Sequence, residues 1–196
     1  MTESEVSVKR LGGSRFCYHY PMLSENQERY LETISDSAMV VMQPWDSKTE
    51  LVAKKLMSDM RSAAPDLEVF HTGAAALKIS GKNDLDFSIL GVPEDFDNYL
   101  PALIKVLGEP QKRGWENVRW EIIRDGFPVD VHLTNKNSPG WKEHKKVFEL
   151  LRDDPRLLGE YQILKERSNG MSLREYQRRK YEFYNKILEE NNKKSS

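Results

Sequence analysis

One cysteine, Cys17, stands in 196 residues, and a lone thiol excludes both an intramolecular disulfide and a cysteine-built zinc site, which fits a reducing compartment. Charge of one sign is lacking too. Thirty Lys plus Arg face 31 Asp plus Glu, so no global field selects nucleic acid or membrane, and any such binding must be local. No apolar run reaches the roughly 20 residues of a membrane helix, and the amino terminus, with Glu3, Glu5, Lys9 and Arg10, lacks the hydrophobic core of a signal peptide. These absences read as a cytoplasmic protein without a membrane partner. Internal repeats and low-complexity linkers are missing as well, and the length suits one domain with a real core.

What the chain does have is carboxylates on strand patterns. Asp84-Leu85-Asp86-Phe87-Ser88-Ile89 alternates, so Asp84, Asp86 and Ser88 fall on one face of a strand while Leu85, Phe87 and Ile89 bury the other. Phe127 to Leu133 repeats the pattern with Asp130, after an Asp125-Gly126 hairpin turn. Three carboxylates on neighbouring strands repel one another unless a cation sits between them, and a hard, oxygen-seeking Mg²⁺ or Mn²⁺ is the natural choice. The plain alternative is a half-exposed antiparallel sheet with a polar face. Gly73-Ala74, a loop's length before the aspartates, and the third aspartate on a separate strand favour the metal site.

The remaining chain reads as follows. Residues 1 to about 23 look irregular around Gly12-Gly13-Ser14. A helix starts at Ser24 with Gln27 closing a capping box and runs through Leu31 to Ala38; Ala38 to Gln43 reads as a strand; a second helix starts at Ser47 with Glu50 as capping partner. Val69 and Phe70 open a strand, Phe96 to Leu107 forms an apolar helical stripe ending at Gly108, and Trp115 to Arg124 pairs with Phe127 to Leu133. From Ser138 onward the pattern is helical: Trp141 to Arg152, Pro155 to Ser168, and Ser172 to Glu190. Trp45, Trp115, Trp120 and Trp141 sit on apolar faces and read as core.

A Gly-small pair, a short loop, Asp-x-Asp on a strand and a third Asp on a later strand resemble the polymerase β-type nucleotidyltransferase superfamily. More narrowly, the chain from about Val40 to Leu188 resembles its GrpB family through Gln43-Pro44-Trp45-Asp46, His71-Thr72-Gly73, Lys82, Asp130-Val131-His132-Leu133, Leu151-Arg152 before Pro155, Tyr161 with Lys165, and Tyr176 with Lys180. The resemblance implies an α+β fold: a polymerase β-type core with a mixed sheet and a C-terminal helical part from about 138. It divides the chain into an N-terminal extension, 1–37, a domain over 38–190 and a polar tail, 191–196. It also implies that Asp84 and Asp86 hold a divalent metal, that Asp130 completes the site as ligand or general base, and that Gly73 lets the backbone approach a nucleoside triphosphate. Ala74 stands where the superfamily usually has serine, so a hydroxyl expected at the phosphates is missing. Fixing Lys82 to the family lysine instead makes Asp86 and Ser88 the counterparts of the two aspartates.

Among the cations, Lys78, Lys82, Arg152, Lys165 and Lys180 are candidates for triphosphate oxygens, with Arg152 and Lys165 preferred. Arg174, Arg178, Arg179 and Lys180 on the last helix offer a small footprint for nucleic-acid backbone, against the plainer reading of a solvated face. His71 and His132 flank the site, to tune it or to serve structure. The expectation is thus metal-dependent transfer of a nucleotidyl group, from ATP by preference, to an unidentified acceptor. The rival is a non-catalytic nucleotide- or ligand-binding protein that keeps the fold, and Ala74 favours it.

Overall fold

The computed structural model describes residues 23–194; the sequence reading of residues 1–22, including Cys17, lies outside them. Five strands form one mixed sheet in the order β1-β2-β5-β4-β3: β1 Glu68–Thr72, β2 Leu85–Gly91, β3 Lys112–Arg113, β4 Asn117–Arg124 and β5 Phe127–Asn135. The β2–β5 pair is parallel and the others are antiparallel. The β4–β5 hairpin turns on Asp125 and Gly126, both at positive φ, as a two-residue primed turn requires.

Alternation decides what each face does. Phe87, Ile89, Val131, Leu133, Val118 and Trp120 point to one side, where they pack with α2 (Lys48–Ala63) and α4 (Phe96–Leu107) in the main core. The other side carries the polar residues of the same strands. Over it lies the helical C-terminal part: α5 (Pro139–Asp153), α6 (Pro155–Arg167) and α7 (Leu173–Lys194), with a second apolar cluster around Leu151, Tyr161, Phe183 and Ile187. Helix α1 (Glu25–Thr33) begins in the Ser24–Gln27 capping box read from the sequence and packs along α7.

Several readings are corrected. Residues Ala38 to Gln43 form only two isolated bridges, Met39 to Ser172 and Gln43 to Gly81. Val40 is buried between the exposed Met39 and Val41, an alternation that imitates a strand while the chain only threads between loops. Helix α1 ends at Thr33 rather than reaching Ala38. Ser47 makes no side-chain cap; Asp46 does that work, accepting from the Lys48 amide at 2.9 Å. The residues after Gly73 are a helical turn, α3 (Gly73–Leu77), rather than a loop. Trp115 is 68% exposed, not core.

Candidate functional site

The sheet's polar face and the C-terminal helices enclose a cavity of about 460 Å³. Its floor follows from strand register. Asp86 on β2 lies directly opposite Asp130 on β5, and Ser88 opposite His132, so period-two alternation sends all four toward the helices. Asp84 stands just ahead of β2, one pleat from Asp86.

The carboxylates meet different surroundings. Asp84 pairs with Lys82 Nζ at 2.7 Å; burial works against the Lys82 charge, but Asp84 outweighs it and holds that ammonium above its ordinary range. Asp86 has no such close partner: burial, then the Asp84 charge, pushes its carboxyl up to about 6, although Lys180 and Lys82 oppose the shift. Asp130 accepts a two-pronged bond from Arg119, Nε to Oδ1 at 2.9 Å and Nη2 to Oδ2 at 2.6 Å, and His132 Nε2 lies 3.1 Å from Oδ1. Burial alone would raise Asp130, but His132 and Arg119 hold it well below the usual carboxylate range. Asn117, across the hairpin, meets His132 Nδ1 at 3.2 Å.

Gly73 opens α3 at φ +74, and a Cβ there would fall 1.9 Å from Asp86 Oδ2. Only a glycine lets this backbone pass so close to the carboxylate. From the helices come lysines. Lys165 is buried and donates to the Tyr176 hydroxyl at 2.9 Å; burial, then the charge of Lys180, brings its ammonium down to about 8. Lys180 also lines the cavity, lowered by burial and supported by Asp86.

Of the residues singled out in the sequence, Gly73, Ala74, Lys82, Asp84, Asp86, Asp130 and Lys165 line this cavity. Arg152 does not: its guanidinium is exposed and forked onto Asp153 at 2.7 and 3.0 Å. Lys78 is likewise elsewhere, bonded to Glu50 and over the Trp45 ring. His71 belongs to the core face, stacked on Phe87 with centroids 4.8 Å apart, its buried Nε2 without a hydrogen-bond partner. Arg119 was not singled out, although the hairpin makes it countable: back from the turn, Arg124 faces Phe127 and Arg119 faces His132, on the face of Asp130.

Among the described residues, no three His, Cys, Asp or Glu side chains are gathered to hold a metal. The donor set instead suits one ion on Asp84 and Asp86, with its other ligands from a substrate's phosphates and water, the way Mg²⁺ is commonly held. The elevated Asp86 carboxyl fits that need for a cation. Asp130 already has its counter-charge in Arg119.

A family described as GrpB protein matches residues 39–190. No curated protein matches. Among solved structures, the conserved protein GrpB from Enterococcus faecalis aligns with a TM-score of 0.51 at 15% identity, over 65% of this chain and 81% of that one. The Cid1 poly(U) polymerase with bound MgGTP aligns at 0.44 and 14% identity, over 67% of this chain and 43% of that chain. A chain of the GLD-2/RNP-8 complex aligns at 0.41 and 16%, over 74% and 59%. Likeness at these identities concerns the fold alone, and the chain spans less than half of the Cid1 polypeptide.

Proposed function

Because this chain belongs to the GrpB family and shares the α+β fold of the GrpB protein from Enterococcus faecalis, we propose that it binds a nucleoside triphosphate and transfers its nucleotidyl group to an acceptor hydroxyl. The observation that carries this reading is the Asp84–Asp86 pair beside Gly73, paired with Lys82 and sharing one cavity with Lys165 and Lys180. Carboxylates that repel each other and lysines that do the same make sense together when a cation and a polyanion fill the space between them.

Bound to Asp84 and Asp86, Mg²⁺ would neutralise charge on the phosphates and act as Lewis acid. Lys165 and Lys180, from the helices, take phosphate oxygens and help hold the leaving pyrophosphate, while Lys82 stays beside Asp84. Gly73 brings backbone close to the same group. Asp130, with Arg119 and His132, borders the acceptor side. In the transfer the acceptor oxygen bonds to the α-phosphorus, the bond from that phosphorus to its bridging oxygen breaks, and pyrophosphate departs with the electron pair. Held far below the ordinary carboxylate range, Asp130 is a weak base, so it orients the acceptor hydroxyl while that hydroxyl's proton passes to solvent water.

That same fork supports a second reading, a nucleotide-binding protein without efficient transfer, since the third carboxylate is already engaged. Calorimetry with ATP and GTP, with and without Mg²⁺, tests both on wild type and on Asp84→Asn/Asp86→Asn. Metal-dependent binding lost in the double variant supports the site; release of pyrophosphate with a trial acceptor then separates enzyme from binder. No triphosphate binding under any condition sinks both readings.

A further inference from the structure

Helix α1 lies ahead of the matched family segment, which begins at residue 39, yet its Tyr30, and Ile34 at its C-terminal cap, line the cavity. We propose that α1 is a wall of the ligand site, strapped to α7, and that it restricts the site to small, nucleotide-sized molecules instead of the end of a nucleic-acid strand. The size limit rests on the nucleotide reading of the cavity; the wall does not.

Four contacts hold the strap. Arg178 forks onto Glu28 at 3.0 and 2.9 Å. The amides of Gln27 and Asn185 exchange hydrogen bonds at 3.1 and 3.0 Å. Just beyond the helix, Arg174 donates twice to the Ile34 carbonyl and pairs with Asp36 at 2.8 Å. Leu31 is buried to 1% beneath these bonds, so the helix is seated rather than draped. Tyr30 meets Tyr181 edge-to-face at 6.4 Å and lines the same cavity as Arg119, the residue that holds Asp130. The wall therefore borders the cavity that holds Asp84, Asp86 and Asp130.

Two further observations favour a small occupant. The enclosed volume, about 460 Å³, falls within the range of small-molecule pockets. And the arginines that form the basic stretch of α7 are committed elsewhere: Arg178 to Glu28 of α1, Arg174 to Asp36 just beyond it, Arg179 to Glu175. A nucleic-acid backbone would need those charges.

The test uses the full chain carrying Cys17→Ser and Thr134→Cys, which puts one thiol on the cavity lining. Its rate of reaction with a disulfide reagent reads how often the wall opens. Glu28→Arg, which sets two cations against each other, should raise that rate roughly five-fold, and the swap Glu28→Arg/Arg178→Glu should bring it back. Tyr30→Ala, which removes only a half-exposed ring, should raise it as well. Equal rates in all four proteins overturn the wall. Binding of Mg·ATP and of a short oligoadenylate is then compared by fluorescence anisotropy. Intact protein should bind ATP and not the oligonucleotide, and equal affinity for both overturns the size limit. If labelling responds to the strap but ATP never binds, the nucleotide reading and the size limit fail together, and the wall alone stands.

Discussion

Asp86 and Asp130 are the same residue type on adjacent strands, opposite each other in register and on the same sheet face, yet their carboxyls are displaced in opposite directions. Asp86 is raised because burial and Asp84 disfavour its charge and the lysines nearby only partly offset them. Asp130 is lowered because β4 delivers a guanidinium and β5 itself an imidazole. One pair of strands thus supplies a carboxylate that lacks a counter-charge and one that has it. The difference says where an incoming cation has most to gain: at Asp86, with Asp84 beside it still held by Lys82.

Removing the glycine beside Asp86 should have the largest effect. In Gly73→Ala the new Cβ meets Asp86 Oδ2 at 1.9 Å, on a backbone with φ +74. A loss of about 2–4 kcal/mol in unfolding free energy is expected from strain plus clash, measured by urea denaturation, together with loss of Mg·ATP binding. Unchanged stability would mean that the close approach is not a constraint.

The contrast itself is tested by Asp86→Asn against Asp130→Asn. Asp86→Asn relieves a buried charge and should leave stability unchanged or raise it by about 1 kcal/mol. Asp130→Asn removes the negative charge and one of the two acceptor oxygens, turning an amide NH2 toward the donors of Arg119 or His132, and should cost about 1–2 kcal/mol. Equal losses in the two denaturation curves would break the comparison.

Acid should expose the sheet's other face. Burial lowers His71 to about 4, against an ordinary value of 6.5, so the folded chain binds fewer protons than the unfolded one between those values. Its contribution is fully present above about pH 6.5 and is lost as pH falls toward 4. Partial exposure limits this to on the order of 1–2 kcal/mol. His71→Leu should flatten the stability profile in that window, and an unaltered slope would show that the imidazole is solvated.

Freeing Asp130 is a gentler perturbation. Arg119→Met removes the fork from a pair that is partly exposed on both sides, so stability should drop by only about 1 kcal/mol. With the carboxylate released, Mn²⁺ should bind severalfold more tightly, as read by paramagnetic relaxation of water. Unchanged Mn²⁺ affinity would mean that Asp130 stays out of reach of an ion on Asp84 and Asp86.

Local periodicity made the floor of the cavity legible: alternation alone assigns Asp86 and Ser88 to one face and Leu85 and Phe87 to the other, and the Ser24–Gln27 capping box needs only its own four residues. What failed depended on distant partners. Val40 is buried against chain around residues 169–173, which no local pattern reports. Lys165, Tyr176 and Lys180 converge on the aspartates from helices about 80 to 95 residues further along, so their types were readable but their meeting was not. Arg119 is the intermediate case, since the Asp125-Gly126 turn fixes its register opposite His132 and counting along the hairpin reaches it.

Arg152 gives the smallest expected effect and separates proximity in motif from proximity in space. It follows the buried Leu151 on α5, but its own side chain points to solvent and bonds with Asp153, whose carboxyl it lowers. Exposed pairs of this kind stabilise little. Arg152→Ala should therefore leave the denaturation curve and Mg·ATP affinity as they were, while Lys165→Met, which takes a buried ammonium out of the cavity, should weaken ATP at least tenfold. If calorimetry instead shows Arg152→Ala losing affinity as steeply as Lys165→Met, then the helical C-terminal part must shift when the nucleotide binds, carrying Arg152 from the surface toward the phosphates.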